Sequence, residues 1–145
     1  MEALPLELTD EIAAEVNGAL EAGRPVLVAY VDADGYPHMS FRGTAQVFGP
    51  QQLAVWARNP DGGLPGAIGE RPHVSFFYRN PETRQTYIFY GRARLATDDA
   101  TKSLVYERSP QRERELDSDR LGVAILVDLD RVDAISPEGR VRMER

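Results

Sequence analysis

Apolar and polar residues alternate with period two along most of the chain, a pattern that predicts strands at more places than helices. One helix comes first. Thr9-Asp10-Glu11 reads as a helix start with acid in its first turn, Ile12, Val16 and Leu20 (with Ala13 and Ala19) place an apolar stripe along 10–22, and Gly23 ends it. Val26 to Val31 is a continuous apolar run that predicts a buried strand, and Asp32-Ala33-Asp34-Gly35 turns it into a partner over His38 to Phe48. In that partner Met39, Phe41, Gly43, Ala45 and Val47 share one face, and Ser40, Arg42, Thr44 and Gln46 share the other. The polar row is either a solvated face or a wall of hydrogen-bonding groups.

Leu53 to Arg58 follows as a strand, then a glycine-proline loop and a short helix from about Pro65 to Gly69. A strand from His73 to Arg79 turns at Asn80-Pro81-Glu82-Thr83 into a long strand, Gln85 to Ala96, where Gly91 predicts a bulge or bend. Asp98 caps a predicted helix over 99–108 with Leu104 and Val105 inward, and the charged stretch 111–120 reads as a solvated short helix or loop. Val123 to Leu129 continues through Val132, Ala134 and Ile135 as a buried strand. Ser136-Pro137-Glu138-Gly139 then turns into a last edge strand, 140–144. Six or seven strands with short turns and few helices predict a mainly β fold, an antiparallel barrel with peripheral helices, in one domain spanning 1–145.

Composition narrows the function classes. A net charge of −6 argues against nucleic acid as a partner, because that affinity rests on clustered Lys and Arg. Lys102 is the one lysine, so nearly all positive charge is arginine, suited to fixed carboxylate or phosphate contacts. Cysteine is absent, and His38 and His73, the two histidines, lack metal-ligand spacing, so no metal site is expected. No apolar run approaches the ~20 residues of a membrane span and no signal segment opens the chain, which together predict a cytoplasmic protein with no membrane partner.

Candidate chemistry gathers around residues 53–91. The strand ending at Arg58 delivers a loop, Asn59-Pro60-Asp61-Gly62-Gly63, whose glycines permit positive φ and close approach of a ligand to backbone N–H groups, with a helix start behind them. That arrangement suits a phosphate, and it equally suits an ordinary strand-loop-helix connection. Arg42 is the leading single candidate, a long cation on a strand face otherwise made of small and hydroxyl side chains; a salt bridge is the alternative. Trp56, Phe41 and Tyr90 are candidates to contact a planar ring or, equally, core or interface aromatics. No catalytic acid-base pair stands out.

The order of V-x-D-A-D-G-Y-P-H-M-S-F-R-G at 31–43, the strand-loop-helix at 53–68, E-R-P-H-V-S at 70–75, E-T-R-Q-T-Y-I-F-Y-G-R-A at 82–93 and G-V-A-I-L-V-D-L-D-R-V at 122–132 resembles the FMN-binding split-barrel family, the pyridoxamine 5′-phosphate oxidase-like proteins. The resemblance covers roughly 26–135. It implies a split β-barrel and a homodimer holding FMN in two clefts at the subunit interface, with a small-molecule substrate that it does not identify. It places Ser40, Phe41, Arg42 and Gly43 on the flavin wall of the second strand, Trp56, Ala57 and Arg58 at the end of the third, and Gln85 against the flavin ring. Gly62, Gly63 and Leu64 stand where many members carry the Ser-Arg-Lys that clamps the phosphate; Arg58, Arg42 and the loop N–H groups are the candidates to replace it. The implied function is a flavin-dependent oxidoreductase. Use of the deazaflavin F420 and a cofactor-free binding dimer are its alternatives, and a heme-binding split barrel with His38 or His73 as axial ligand is a third.

Overall fold

A computed structural model describes residues 2–145. Its elements are β1 (Leu4–Pro5), α1 (Asp10–Asn17), β2 (Val26–Val31), β3 (Pro37–Arg42), β4 (Gln46–Gly49), β5 (Gln52–Ala57) and α2 (Gly63–Ala67), followed by β6 (His73–Asn80), β7 (Gln85–Leu95), α3 (Asp99–Arg108), α4 (Gln111–Glu115), β8 (Val123–Ser136) and β9 (Gly139–Glu144). No helix among them is long and apolar enough to cross a membrane.

The mainly β reading holds, but six or seven antiparallel strands closing a barrel does not. Nine strands form one sheet in the order β1-β9-β8-β7-β6-β2-β3, with β5 also on β8 and β4 on β5, and this path stays open. The extra strands have two origins. β1 has only two residues, too few to show alternation, and pairs parallel with β9, so the sheet is mixed. The predicted strand 38–48 is two strands, because the chain leaves β2 after Arg42 and crosses within three residues to pair with β5.

β8 makes this fork possible. Its first half, from Val123, pairs with β5, its second half, from Arg131, pairs with β9, and β7 runs along both. Ion pairs bind the fork: Asp128 accepts from Arg94 and Gln52, and Asp130 accepts from Arg92 and Arg145. β5 and the first half of β8 are covered on both sides, which accounts for their unbroken apolar sequence. Leu53, Val55, Ile125 and Val127 face the main core with Phe76 and Phe89, whereas Ala54, Trp56, Ala124 and Leu126 face a smaller core under α3 with Val105 and Tyr106. Leu104, predicted inward, is 46% exposed, whereas Val105, also predicted inward, and Tyr106 reach the core.

The helix start at Thr9 is as predicted, its hydroxyl accepting from the Ile12 N–H, but α1 stops at Asn17, with turns carrying the chain to a positive-φ Gly23. α1 is tied to the sheet by Glu15, which accepts from the Tyr78 hydroxyl, itself an acceptor from Arg24. Burial, then the Glu15 carboxylate, pushes the Tyr78 phenol up to about 12, so it stays a neutral donor.

The predicted irregularity at Gly91 is a register shift between Tyr90 and Gly91 against β8, and a Cβ on Gly91 would press on the Asp128 carbonyl and Val127. Gly91→Val should therefore cost about 1–3 kcal/mol by overpacking, read as a lower denaturation midpoint. The arginine partners of Asp128 and Asp130 hold both carboxyls below their ordinary pKa. Stability from these pairs is thus present above the usual carboxylate range and lost as pH falls through it. Acid unfolding of the wild type should lose more stability below about pH 4 than that of the Asp128→Asn/Asp130→Asn variant.

Candidate functional site

In the β2–β3 hairpin, residues directly opposite share a face, so Arg42 lies beside Val26, Ser40 beside Val28 and His38 beside Tyr30. Val26 and Val28 are core residues, which puts the polar row of β3 on the inner side. Met39 and Phe41, the apolar row, point out and are each 68% exposed. The amphipathic pattern is real, but its polar side faces the protein.

The inner row leads into a cleft of about 390 Å³ lined by Phe41, Arg42, Gly43, Thr44, Trp56, Arg58, Asn59 and Glu113. Trp56 lines it while its side chain, 6% exposed, packs in the core under α3, and it is fixed from several sides. The Thr44 hydroxyl accepts from the Trp56 N–H and donates to its carbonyl, both at 2.9 Å. The indole N–H donates to the Asp117 carboxylate at 2.9 Å, and the Tyr106 ring meets the indole edge-on at 5.1 Å. Burial pulls the Asp117 carboxyl upward in pKa, but its N–H donors from Leu121, Trp56 and Gly122, with Arg58 nearby, outweigh that and hold it below the ordinary value.

Arg42 is half-buried, and its Nε is buried without any hydrogen-bond partner. Neither Arg42 nor Arg58 forms a salt bridge with a described carboxylate. Burial lowers the Arg42 pKa, the Tyr30 phenol opposes this, and the Arg58 charge adds to it. Two guanidiniums close enough to repel, neither in a salt bridge, thus share a cleft that Trp56 also lines, an arrangement that would accept an anion.

The structure brings Phe41, Arg42, Gly43, Trp56 and Arg58 together and leaves the other predicted residues outside the cleft lining. Ser40 is half-buried on the inner row. Ala57 and Leu64, each 1% exposed, give their side chains to the core. Gln85 sits at the start of β7 and donates to the carbonyls of Thr86 and Ile135. Gly62 and Gly63 use no positive φ: Gly62 lies at −73° and Gly63 is outside the left-handed region. The Gly62 N–H donates to the Asn59 carbonyl and the Asp61 N–H to the Asn59 side chain, so the loop consumes two of its own donors.

Gly63 has a packing reason. A Cβ there would overlap the Tyr30 hydroxyl, and the Tyr30 ring is held by His38, stacked on it at 5.1 Å, whose Nε2 is 2.8 Å from Asp32. Tyr30 therefore fills the space beside the loop. Thr44, Asn59 and Glu113 were missed as cleft residues. Asn59 carried a signal, an Asn-Pro-Asp turn in which its side chain caps the loop; Glu113 carried none, being one charge among many in 111–120.

No protein-family model and no curated protein matches the chain. Solved structures do. HupZ of Group A Streptococcus is 20% identical over 89% of this chain and 94% of that one, with a TM-score of 0.65. A pyridoxamine 5′-phosphate oxidase-related, FMN-binding protein from Nostoc punctiforme is 16% identical over 90% and 84%, with a TM-score of 0.70. A heme-binding protein from Mycobacterium smegmatis is 14% identical over 91% and 57%, with a TM-score of 0.67. At these identities the likeness is one of fold.

If Tyr30 and Gly63 pack as described, Gly63→Ala should lose about 1–3 kcal/mol in chemical denaturation. Adding Tyr30→Ala should return part of that loss. Purely additive losses would mean that the phenol is not what excludes a side chain at position 63.

Proposed function

Because the chain has the fold of the pyridoxamine 5′-phosphate oxidase-like, FMN-binding proteins, we propose that it is a flavin-binding oxidoreductase that holds FMN in the Arg42–Trp56–Arg58 cleft. The observation that carries this reading is the buried, unpartnered Nε of Arg42 in a cleft shared with Arg58, an exposed arginine that forms no salt bridge with a described carboxylate. Arg42 and Arg58 would hold the phosphate, Thr44 and Asn59 would offer polar contacts, and Trp56 would flank the ring. When bound, the flavin supplies the redox chemistry, and the chain supplies binding, orientation and charge. The substrate is a small molecule.

The same proposal includes a homodimer. Met39, Phe41, Leu27, Phe77 and Ile88 lie on one outward face, since Leu27 is directly opposite both Phe41 and Phe77, and Phe77 opposite Ile88. An exposed contiguous apolar face of this kind suits burial against a second copy. Phe41 also borders the cleft, so a partner seated there would complete its outer wall.

The competing reading is a cofactor-free dimer. Tyr30 favours it, because the loop that would clamp a phosphate in the resembled family is filled by this chain's own side chain.

A fluorescence-quenching titration of cofactor-free protein with FMN separates the two. Saturable binding below ~10 μM, about −7 kcal/mol, is expected, and no binding at ~100 μM would leave the cofactor-free reading. Each charge-assisted contact contributes about 1.5–3 kcal/mol, so Arg42→Ala should weaken FMN by about tenfold or more while the unfolding midpoint barely moves. Sedimentation should show a dimer at micromolar concentration, and Phe41→Glu should shift it to monomer.

A further inference from the structure

The indole of Trp56 is held by a carboxylate that no cleft lining includes. Asp117 lies just past α4, is 9% exposed, and accepts three N–H donors: the Trp56 indole and the Gly122 N–H on Oδ2, and the Leu121 N–H on Oδ1, each at 2.9 Å. The Tyr106 hydroxyl closes the same segment by reaching the carbonyls of Arg114 and Asp117 at 3.1 and 3.0 Å. Gly122 must be glycine for this approach. A Cβ there would lie 2.8 Å from the indole nitrogen and would overlap the Ala57 carbonyl.

Holding an indole in a core requires only one acceptor, and a backbone carbonyl serves. A buried carboxylate is a costlier choice, made tolerable here by its three donors. The positive charge of Arg58 also helps to hold its carboxyl below the ordinary pKa. Trp56 in turn stands between two spaces: the Arg42–Arg58 cleft and a second cleft of about 280 Å³ lined by Lys102, Tyr106 and Arg120.

We propose that Asp117 is a positioning residue for the flavin cleft: through the Trp56 indole N–H it fixes the orientation of the indole beside which a planar ligand would lie. This rests on the flavin reading for its ligand, but not for its geometry. Trp56 is the only tryptophan, so its signals report this ring alone.

The test compares wild type, Asp117→Asn, Trp56→Phe and the double variant. Asp117→Asn should shift the single indole N–H resonance, change iodide quenching of Trp56 emission, and weaken FMN about fivefold or more while the far-ultraviolet circular dichroism spectrum is retained. In the Trp56→Phe background the same substitution should weaken FMN by less than about twofold, because the group it acts through is gone. An unmoved indole resonance, or losses that simply add, would overturn the proposal. If wild type binds no FMN, the flavin reading fails on its own. Asp117 is then judged by the indole resonance and iodide quenching, and an unchanged pair of signals would overturn its role as well.

Discussion

The fork at β8 is the constraint on which the rest of the structure depends. A 14-residue strand cannot keep the same two neighbours along its length when its partner sheets diverge, so it gives its first half to β5 and its second to β9. β7 spans the branch point and absorbs the mismatch in one register shift at Gly91, where the absence of a side chain lets β8 approach. Asp128 and Asp130 sit at the branch, where the hydrogen-bond ladder changes partners. Their arginines and Gln52 replace the regularity lost there. Such half-exposed ion pairs add little stability individually; here their value is in fixing where the two branches diverge.

From the fork follows the location of the cleft. Because the first half of β8 and all of β5 are buried on both faces, alternate residues of β5 go to different cores: Val55 to the main one and Trp56 to the one under α3. The chain's crossing from β3 to β4 brings Thr44 over Trp56, where its hydroxyl closes both backbone groups of that residue. Arg42 ends β3 just before the crossing, and Arg58 follows β5 just after its last paired residue. The two cations meet because two strands end at the same place.

The sequence carried most of this fold and about half of the cleft. Periodicity reads well where one element has one environment, as in β2 and β6. It misled at 38–48, where uninterrupted alternation spans two strands with different partners, and no local signal marks a strand that changes sheets. Alternation also identified the two faces of β3 without saying which faced inward. Ser40 and Arg42 are inside because they lie opposite Val28 and Val26, a pairing that only the register supplies. The Gly62-Gly63 loop was legible as special but not as to why: glycine at 63 answers to the Tyr30 hydroxyl, 33 positions earlier in the chain. Glu113 and Asp117 were invisible for the same reason. Each is one acid in a run of charges until the fold brings it to Gly43 or Trp56.

Charge gives the unpaired arginines their meaning. The chain has 23 acidic residues against 17 basic ones, so carboxylates are in excess, and seven of the sixteen arginines form salt bridges among the described residues. Arg92, Arg94, Arg120, Arg142 and Arg145 all do. Arg42 and Arg58 do not, although Glu113 lines the same cleft and Asp117 lies close to Arg58. Asp117 already accepts three N–H donors. The Glu113 carboxylate lies against Gly43, where a Cβ would overlap it, and forms no salt bridge with a described residue. Arg42, partly desolvated and repelled by Arg58, carries a cost in the folded state that no salt bridge with a described carboxylate offsets. Under the proposed flavin reading, an anion held between the two arginines would offset that cost, and the polarity of this cleft, more than the glycine loop, would specify where it goes.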